Sequence, residues 1–188
     1  SITLAVLPSS LLPGSDEQAE ELFGSLASGG VRIVASSIRK REHAENMNTF
    51  ARTFGMRMIS YPYSERVMWD SFGSYGLLEG RDLVSFAPAR SLSLDGAAMI
   101  FSFDAPVDVA TLRCRAAENR VFLIEASDTT ARVIGPDGAV RGESNGIRPA
   151  IVTIDLHEAC NKYCYPKTDV FEQRRPKVYA SVFSGQQG

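Results

Sequence analysis

The chain has 188 residues, of which 44% are apolar, and carries a formal net charge of −2. This length fits one domain with a sizeable core, so we predict a single domain over residues 1–188. The nearly balanced charge excludes a global attraction to nucleic acid or to anionic membranes, and no apolar run is long enough to cross a bilayer. We expect neither nucleic acid nor membrane as a partner.

The N-terminal region has the pattern of a strand–helix–strand unit. Residues 2–7 form a short apolar run closed by Pro8. Residues 15–18 have the form of a capping box, and apolar residues at helical spacing follow until Gly29-Gly30. The next strand is predicted over residues 31–38. Such a unit favours a parallel or mixed sheet.

The next region is glycine-rich and aromatic. Residues 49–54 and 57–61 flank Gly55 and predict a hairpin. Residues 63–82 lack periodicity and predict a loop. Trp69, with its aromatic neighbours Phe72 and Tyr75, suggests either a ligand site or a lid or interface patch.

The C-terminal half alternates helix and strand signals. Two helices are predicted, over residues 88–94 and 106–119, each with proline at its start. Strands are predicted over residues 98–103, 121–126, 132–134, 139–141 and 150–156, and residues 165–188 are predicted to form an extended tail. The tripeptide Pro136-Asp137-Gly138 predicts a turn.

The chain has three cysteines, Cys114, Cys160 and Cys164. An odd number without a regular framework argues against a disulfide-stapled secreted domain. We therefore expect a reducing, cytoplasmic setting.

Three segments together resemble one known family. They are Arg113–Ala126, Pro136–Gly138 and Arg174–Tyr179, and in this order they resemble the C-terminal half of the nitrilase (carbon–nitrogen hydrolase) superfamily. The resemblance implies an α/β fold, the nitrilase-like α-β-β-α sandwich, here with the first strand and helix missing. It also implies a homodimer, because members of the family usually bury a helical layer between subunits.

The family's chemistry implies three catalytic side chains. A cysteine thiolate attacks the substrate, a glutamate acts as general base, and a lysine stabilises the tetrahedral intermediate. Carried over by position, the glutamate falls on Ser9, the lysine near Arg66 and the nucleophile near Gly80. No lysine lies between residues 41 and 161 and no cysteine precedes Cys114, so the triad is missing.

Three further residues are candidates for a pocket. Asp82 matches the family's aspartate after the nucleophile, Glu118 supports the pocket in active members, and Trp69 is the aromatic candidate described above. The ligand implied by the family is a small amide- or carboxylate-like molecule. We expect no cofactor.

The cysteines allow two other interpretations. Cys114 is either a relocated nucleophile or a small apolar residue packed against the sheet, and we predict the second because no His or Lys lies near it in sequence. His157, Cys160 and Cys164 offer three metal ligands at a spacing that is not standard. A tetrahedral zinc site needs a fourth ligand, so we predict no metal.

The sequence thus favours a nitrilase-like domain without catalytic activity, acting as an oligomerisation, regulatory or ligand-binding module. The alternative is an active amidase or nitrilase that hydrolyses a non-peptide carbon–nitrogen bond, with its catalytic segments missing from the sequence shown. A metal or redox module that uses Cys160 and Cys164 is a third hypothesis.

Overall fold

A computed structural model describes residues 3–7, 21, 24–25, 28–36, 57–59, 67–145 and 148–183. Over these residues the strands form a three-stranded sheet, a six-stranded sheet and a small hairpin.

The three-stranded sheet is built from the N-terminal strands β1 (Thr3–Leu7), β2 (Val31–Ser36) and β3 (Arg57–Ile59). All neighbours are parallel, as the strand–helix–strand pattern predicted. The predicted hairpin is not tested; its second half contains β3, which pairs in parallel with β2. Its first half, residues 49–54, lies outside the described residues.

The six-stranded sheet follows the chain order from β4 to β9. Its strands are β4 (Met68–Asp70), β5 (Gly73–Glu79), β6 (Met99–Phe103), β7 (Phe122–Ala126), β8 (Ala131–Ile134) and β9 (Val140–Ser144). Strands β5, β6 and β7 are parallel, whereas β4, β8 and β9 are antiparallel to their neighbours. The strands predicted over residues 98–103, 121–126, 132–134 and 139–141 are confirmed apart from shifts of their ends.

The predicted loop over residues 63–82 is wrong for most of the residues that the structure describes there, apart from Val67 and the turn at Ser71 and Phe72. This region contains β4, β5 and the start of a 3-10 helix, Gly80–Leu83. The strand signal of β5 is weak because the strand contains Gly76. A Cβ atom at this position would overlap the buried side chain of Leu92. A helix packs here closely on the strand, and only glycine leaves room for it.

Two helices cover one face of the six-stranded sheet, α1 (Ala87–Leu94) and α2 (Val109–Asn119). Helix α2 begins three residues after Pro106 because Asp108 is its N-cap and accepts a hydrogen bond from the Thr111 amide at 2.8 Å. The helix ends at Arg120, which adopts a left-handed conformation.

Two apolar clusters lie on opposite faces of this sheet. The helix-side cluster joins α1, α2 and the sheet through Leu78, Ala89, Leu92, Ile100, Leu112, Ala116 and Leu123. The inner cluster contains Tyr75, Leu77, Met99, Phe101, Phe103, Phe122, Ile124 and Ala126, and Val6 of β1 packs against it. The three-stranded sheet therefore contacts the inner face, so that α1 and α2, the six-stranded sheet and the three-stranded sheet lie in successive layers.

The segment after β9 differs from its predicted strand. Residues 150–155 are irregular, and Ile151 is 90% exposed. Val152 lies over Gly142 of β9, and Leu156 lies against Gly73. A Cβ atom on Gly142 would overlap Val152, and one on Gly73 would overlap Leu156. The segment therefore uses apolar side chains to cover the sheet and does not extend its edge.

The predicted extended tail is also partly wrong. Short helix α3 (His157–Cys160) precedes an antiparallel hairpin of β10 (Tyr163–Tyr165) and β11 (Thr168–Asp169), and α4 (Pro176–Phe183) follows. Among the described helices, none has the length and apolar character needed to cross a membrane.

Candidate functional site at the carboxyl edge of the sheet

The position predicted for the nucleophile lies at the carboxyl edge of the parallel strands. Gly80 directly follows β5 and begins the 3-10 helix that leads to α1. Glu79 pairs in register with Phe103, which pairs with Ala126, so the carboxyl ends of β5, β6 and β7 meet here. Ligands of parallel α/β sheets commonly bind at such an edge. Glycine supplies no nucleophile at this position.

The segment after Gly80 is held in place by Arg115 of α2. The Arg115 guanidinium donates to the Leu83 and Val84 carbonyl oxygens, each at 3.1 Å, and to Glu118 Oε1 at 2.9 Å. Leu83 itself is fully buried in the helix-side cluster. The role of Glu118 here is to orient Arg115, which in turn fixes the turn after Gly80.

Two of the pocket candidates differ in their surroundings. Asp82 is half-buried within the 3-10 helix, one residue before Leu83. Trp69 lies on edge strand β4 and is 70% exposed, whereas Phe72 and Tyr75 pack together with ring centroids 5.0 Å apart. The aromatic set is therefore divided, because Phe72 and Tyr75 join the inner core and Trp69 faces outward.

Glu125 is a buried carboxylate at this edge that the sequence interpretation missed. It is 2% exposed in β7 and pairs in register with Ser102, which is fully buried. Among the described residues, Glu125 Oε2 and Ser102 Oγ have no hydrogen-bond partner, and Arg132 Nη1 lies 3.6 Å from Oε2. The available signal was a lone acidic residue within an apolar strand.

The environment of Glu125 favours its protonated form. Burial raises the pKa of Glu125 from 4.5 to about 7; nearby Arg132 opposes this rise and Asp104 adds to it. Arg132 is shared with Glu143, whose Oε1 lies 2.7 Å from the Arg132 Nε. The edge thus carries a carboxyl group that titrates near neutral pH.

The cysteines lie on the surface. Cys114 is exposed on α2, with its sulfur 4.0 Å from Glu118 Oε2, so the prediction that it packs against the sheet is wrong. Cys160 and Cys164 are also exposed, and their thiols donate to the Leu156 and Thr168 carbonyl oxygens. Within the described part of the chain, no group of three His, Cys, Asp or Glu residues that includes His157 is placed to hold a metal.

Two positions carried over from the family, Ser9 and Arg66, lie outside the described residues. The structure brings Gly80, the residue near which the nucleophile position was predicted, together with Asp82 and the Arg115–Glu118 pair. It adds Glu125, and it leaves Trp69 outside this constellation.

The arrangement of sheets, helices and carboxyl edge is the nitrilase-like fold. No protein-family model and no curated protein matches the chain. A carbon–nitrogen hydrolase from Helicobacter pylori G27 superposes with a TM-score of 0.70 at 14% identity, covering 97% of this chain and 98% of that chain. An amidase from Nesterenkonia sp. superposes with a TM-score of 0.67 at 13% identity, covering 96% of each chain.

A variant of the amidase from Nesterenkonia sp. AN1, with acrylamide added at its active-site cysteine, is also similar. Its TM-score is 0.68 at 13% identity, with 97% of this chain and 100% of that chain covered. At such low identity these similarities establish the fold, as the sequence resemblance predicted.

Proposed function

We propose that this chain is a nitrilase-like domain without carbon–nitrogen hydrolase activity, which acts as an oligomerisation, regulatory or ligand-binding module. The observation that supports the proposal is Gly80 at the carboxyl edge, where the family resemblance predicts the nucleophile. The Nesterenkonia amidase of the same fold has an active-site cysteine. Glycine has no side chain to attack a carbonyl or nitrile carbon, so the covalent route is closed at this position.

The three cysteines lie on other segments than the turn after Gly80. Cys114 is exposed on α2, with its sulfur 4.0 Å from Glu118 Oε2. The exposed Cys160 and Cys164 thiols donate to the Leu156 and Thr168 carbonyl oxygens. We propose that none of them replaces the nucleophile expected at Gly80.

We expect no ammonia release when the purified protein is incubated with short aliphatic amides or nitriles, and no effect of thiol alkylation. An active amidase of this fold provides the positive control. A variant with serine at positions 114, 160 and 164 provides the matched blank. Thiol-sensitive ammonia release that this blank lacks would contradict the proposal.

The intact mass of the natural protein separates this proposal from the alternative of an active amidase or nitrilase with further catalytic segments. A mass of 20.5 kDa agrees with the sequence given and leaves the triad absent. A clearly larger mass, together with hydrolysis, would support the alternative. A small amide- or carboxylate-like ligand remains the expected class of binder.

We propose further that the chain forms a homodimer in the cytoplasm. Val178 and Tyr179 of α4 are 66% and 49% exposed, and such apolar surface often marks an interface. All three cysteines are free thiols, which persist in a reducing compartment. These observations support the proposal without identifying the interface.

Light scattering at micromolar concentration tests the homodimer. We expect a dimer for the native chain and weaker association for Val178→Glu, because a charge is costly in an apolar contact. Lys177→Glu, on the same helix, provides the matched control and should remain dimeric. A native chain that is entirely monomeric would contradict the proposal.

A further inference from the structure

Three cationic side chains from separate segments surround one aromatic ring. Lys162 Nζ lies 5.0 Å from the centroid of the Phe171 ring, and the guanidinium carbons of Arg90 and Arg174 lie 5.8 Å and 5.9 Å from it. Arg90 comes from α1, Lys162 precedes β10, and Arg174 precedes α4. We name these four residues the Phe171 cluster.

Part of the cluster has a structural explanation in the C-terminal end of α2. Arg90 Nη2 donates to the Glu118 carbonyl oxygen at 2.6 Å, and Lys162 Nζ donates to the Arg120 carbonyl oxygen at 2.9 Å. Cations at this end of a helix satisfy its last carbonyl groups and interact favourably with its dipole. The end of α2 thus accounts for one hydrogen bond from each of these two cations.

Donor capacity remains after these bonds are counted. Arg90 Nη1 is buried and has no hydrogen-bond partner within the part of the chain that the structure describes. Arg174 donates its Nε to the Phe171 carbonyl oxygen at 3.1 Å, and its side chain is otherwise exposed. A buried guanidinium nitrogen without an acceptor is costly, so an acceptor at this point would stabilise the structure.

Two carboxylates near the cluster offset its charge only in part. Glu118 interacts with Arg90 but also forms an ion pair with Arg115 at 2.9 Å. Asp169 interacts with Lys162, and its Oδ1 accepts hydrogen bonds from the Phe171 and Glu172 amides at 2.7 Å and 3.0 Å. Three positive charges thus lie near these two carboxylates, one of which is shared with Arg115.

The titration of Lys162 is consistent with this excess of charge. The pKa of Lys162 is lowered to about 8. Burial is the main cause, and the Arg120 and Arg90 guanidinium groups contribute, whereas Cys160 and Asp169 oppose the shift. Burial also lowers the pKa of Arg90; Glu118 opposes this effect, and Arg174 adds to it.

We infer that Arg90, Lys162 and Arg174 form a binding site for a phosphate-type oxyanion beside the Phe171 ring. A phosphate carries up to two negative charges and has several acceptor oxygens. It can therefore accept from the unpartnered Arg90 nitrogen and from the two more exposed cations together. The inference is independent of whether the domain is an enzyme.

Thermal unfolding and calorimetric titration with inorganic phosphate test the site. We expect phosphate to raise the melting temperature of the native chain more than chloride does at equal ionic strength. In Arg174→Gln and Lys162→Gln, phosphate affinity should fall about tenfold, since each loses a charge-assisted hydrogen bond. Both variants leave the buried Arg90 in place.

Arg175→Gln is the matched control, because Arg175 is the exposed neighbour of Arg174 and does not belong to the cluster. This variant should bind phosphate as the native chain does. Equal phosphate responses in the native chain and Arg174→Gln, or a native response no larger than that to chloride, would overturn the inference. Circular dichroism of each variant confirms that the fold is retained before titration.

Discussion

Phe101→Ala should lower the free energy of unfolding by about 3–5 kcal/mol, as expected for removal of a fully buried aromatic side chain. Phe101 is fully buried in the middle of β6. Its ring centroid lies 5.5 Å from that of Tyr75 and 6.4 Å from that of Phe72, both in edge-to-face geometry. The substitution leaves a cavity beneath the contact between the two sheets. Urea denaturation measures the change.

Trp69→Ala is the control for this prediction. Trp69 is 70% exposed on the edge strand, so the same truncation should change the free energy of unfolding by less than about 1 kcal/mol. Similar losses from both variants would show that Trp69 belongs to the core, contrary to the structure. The two variants together also test whether exposed Trp69 contributes to the stability of the fold.

Glu125→Gln should remove a pH dependence of stability between about pH 4.5 and 7. The pKa of Glu125 is about 7 in the folded chain and 4.5 by reference, so the folded state binds more protons in this window. Stability is therefore greatest below the reference value and falls as pH rises through the folded pKa. The shift corresponds to roughly 3 kcal/mol at most. Denaturation at several pH values measures the slope.

Glu143→Gln is the matched control, since Glu143 contacts the same Arg132 and is 52% exposed. It should retain the slope between pH 4.5 and 7 that Glu125→Gln loses. Asp108, Asp155 and Asp169 have lowered pKa values because of hydrogen bonds to their carboxylates, so they produce the opposite slope at lower pH. The difference between the native chain and each variant isolates Glu125. A slope unchanged by Glu125→Gln would contradict the prediction.

The parts of the fold that the sequence predicted have strong local signals. Strand β7 follows from an apolar run interrupted only at Glu125, and the turn between β8 and β9 follows from Pro136-Asp137-Gly138. Strand β5 was missed because Gly76 weakens its strand signal. Glycine is needed there because Leu92, sixteen positions later in the chain, packs against it. Residues 150–156 have a strand's apolar pattern but pack over the sheet, which local periodicity does not distinguish.

The candidate site was predictable to a similar extent. Counting back from Ala89-Arg90 placed the nucleophile position at Gly80, and the structure puts this residue at the carboxyl edge. The sequence does not indicate that Glu125 is buried, because this depends on which face of β7 is covered. Among the described residues, its Oε2 has no hydrogen-bond partner. The Phe171 cluster joins residues up to 84 positions apart in sequence, so no motif indicates it.

The way in which residues 161–174 are attached to the body has a consequence for hydrogen exchange. Beyond Ala159, which packs in the inner cluster, the bonds that hold this segment include Arg120 Nε to the Asn161 carbonyl oxygen and Lys162 Nζ to the Arg120 carbonyl oxygen. Polar bonds of this kind open at less free energy than a buried sheet does. The amides of β10 and β11 should therefore exchange through a local opening while those of β6 and β7 remain protected.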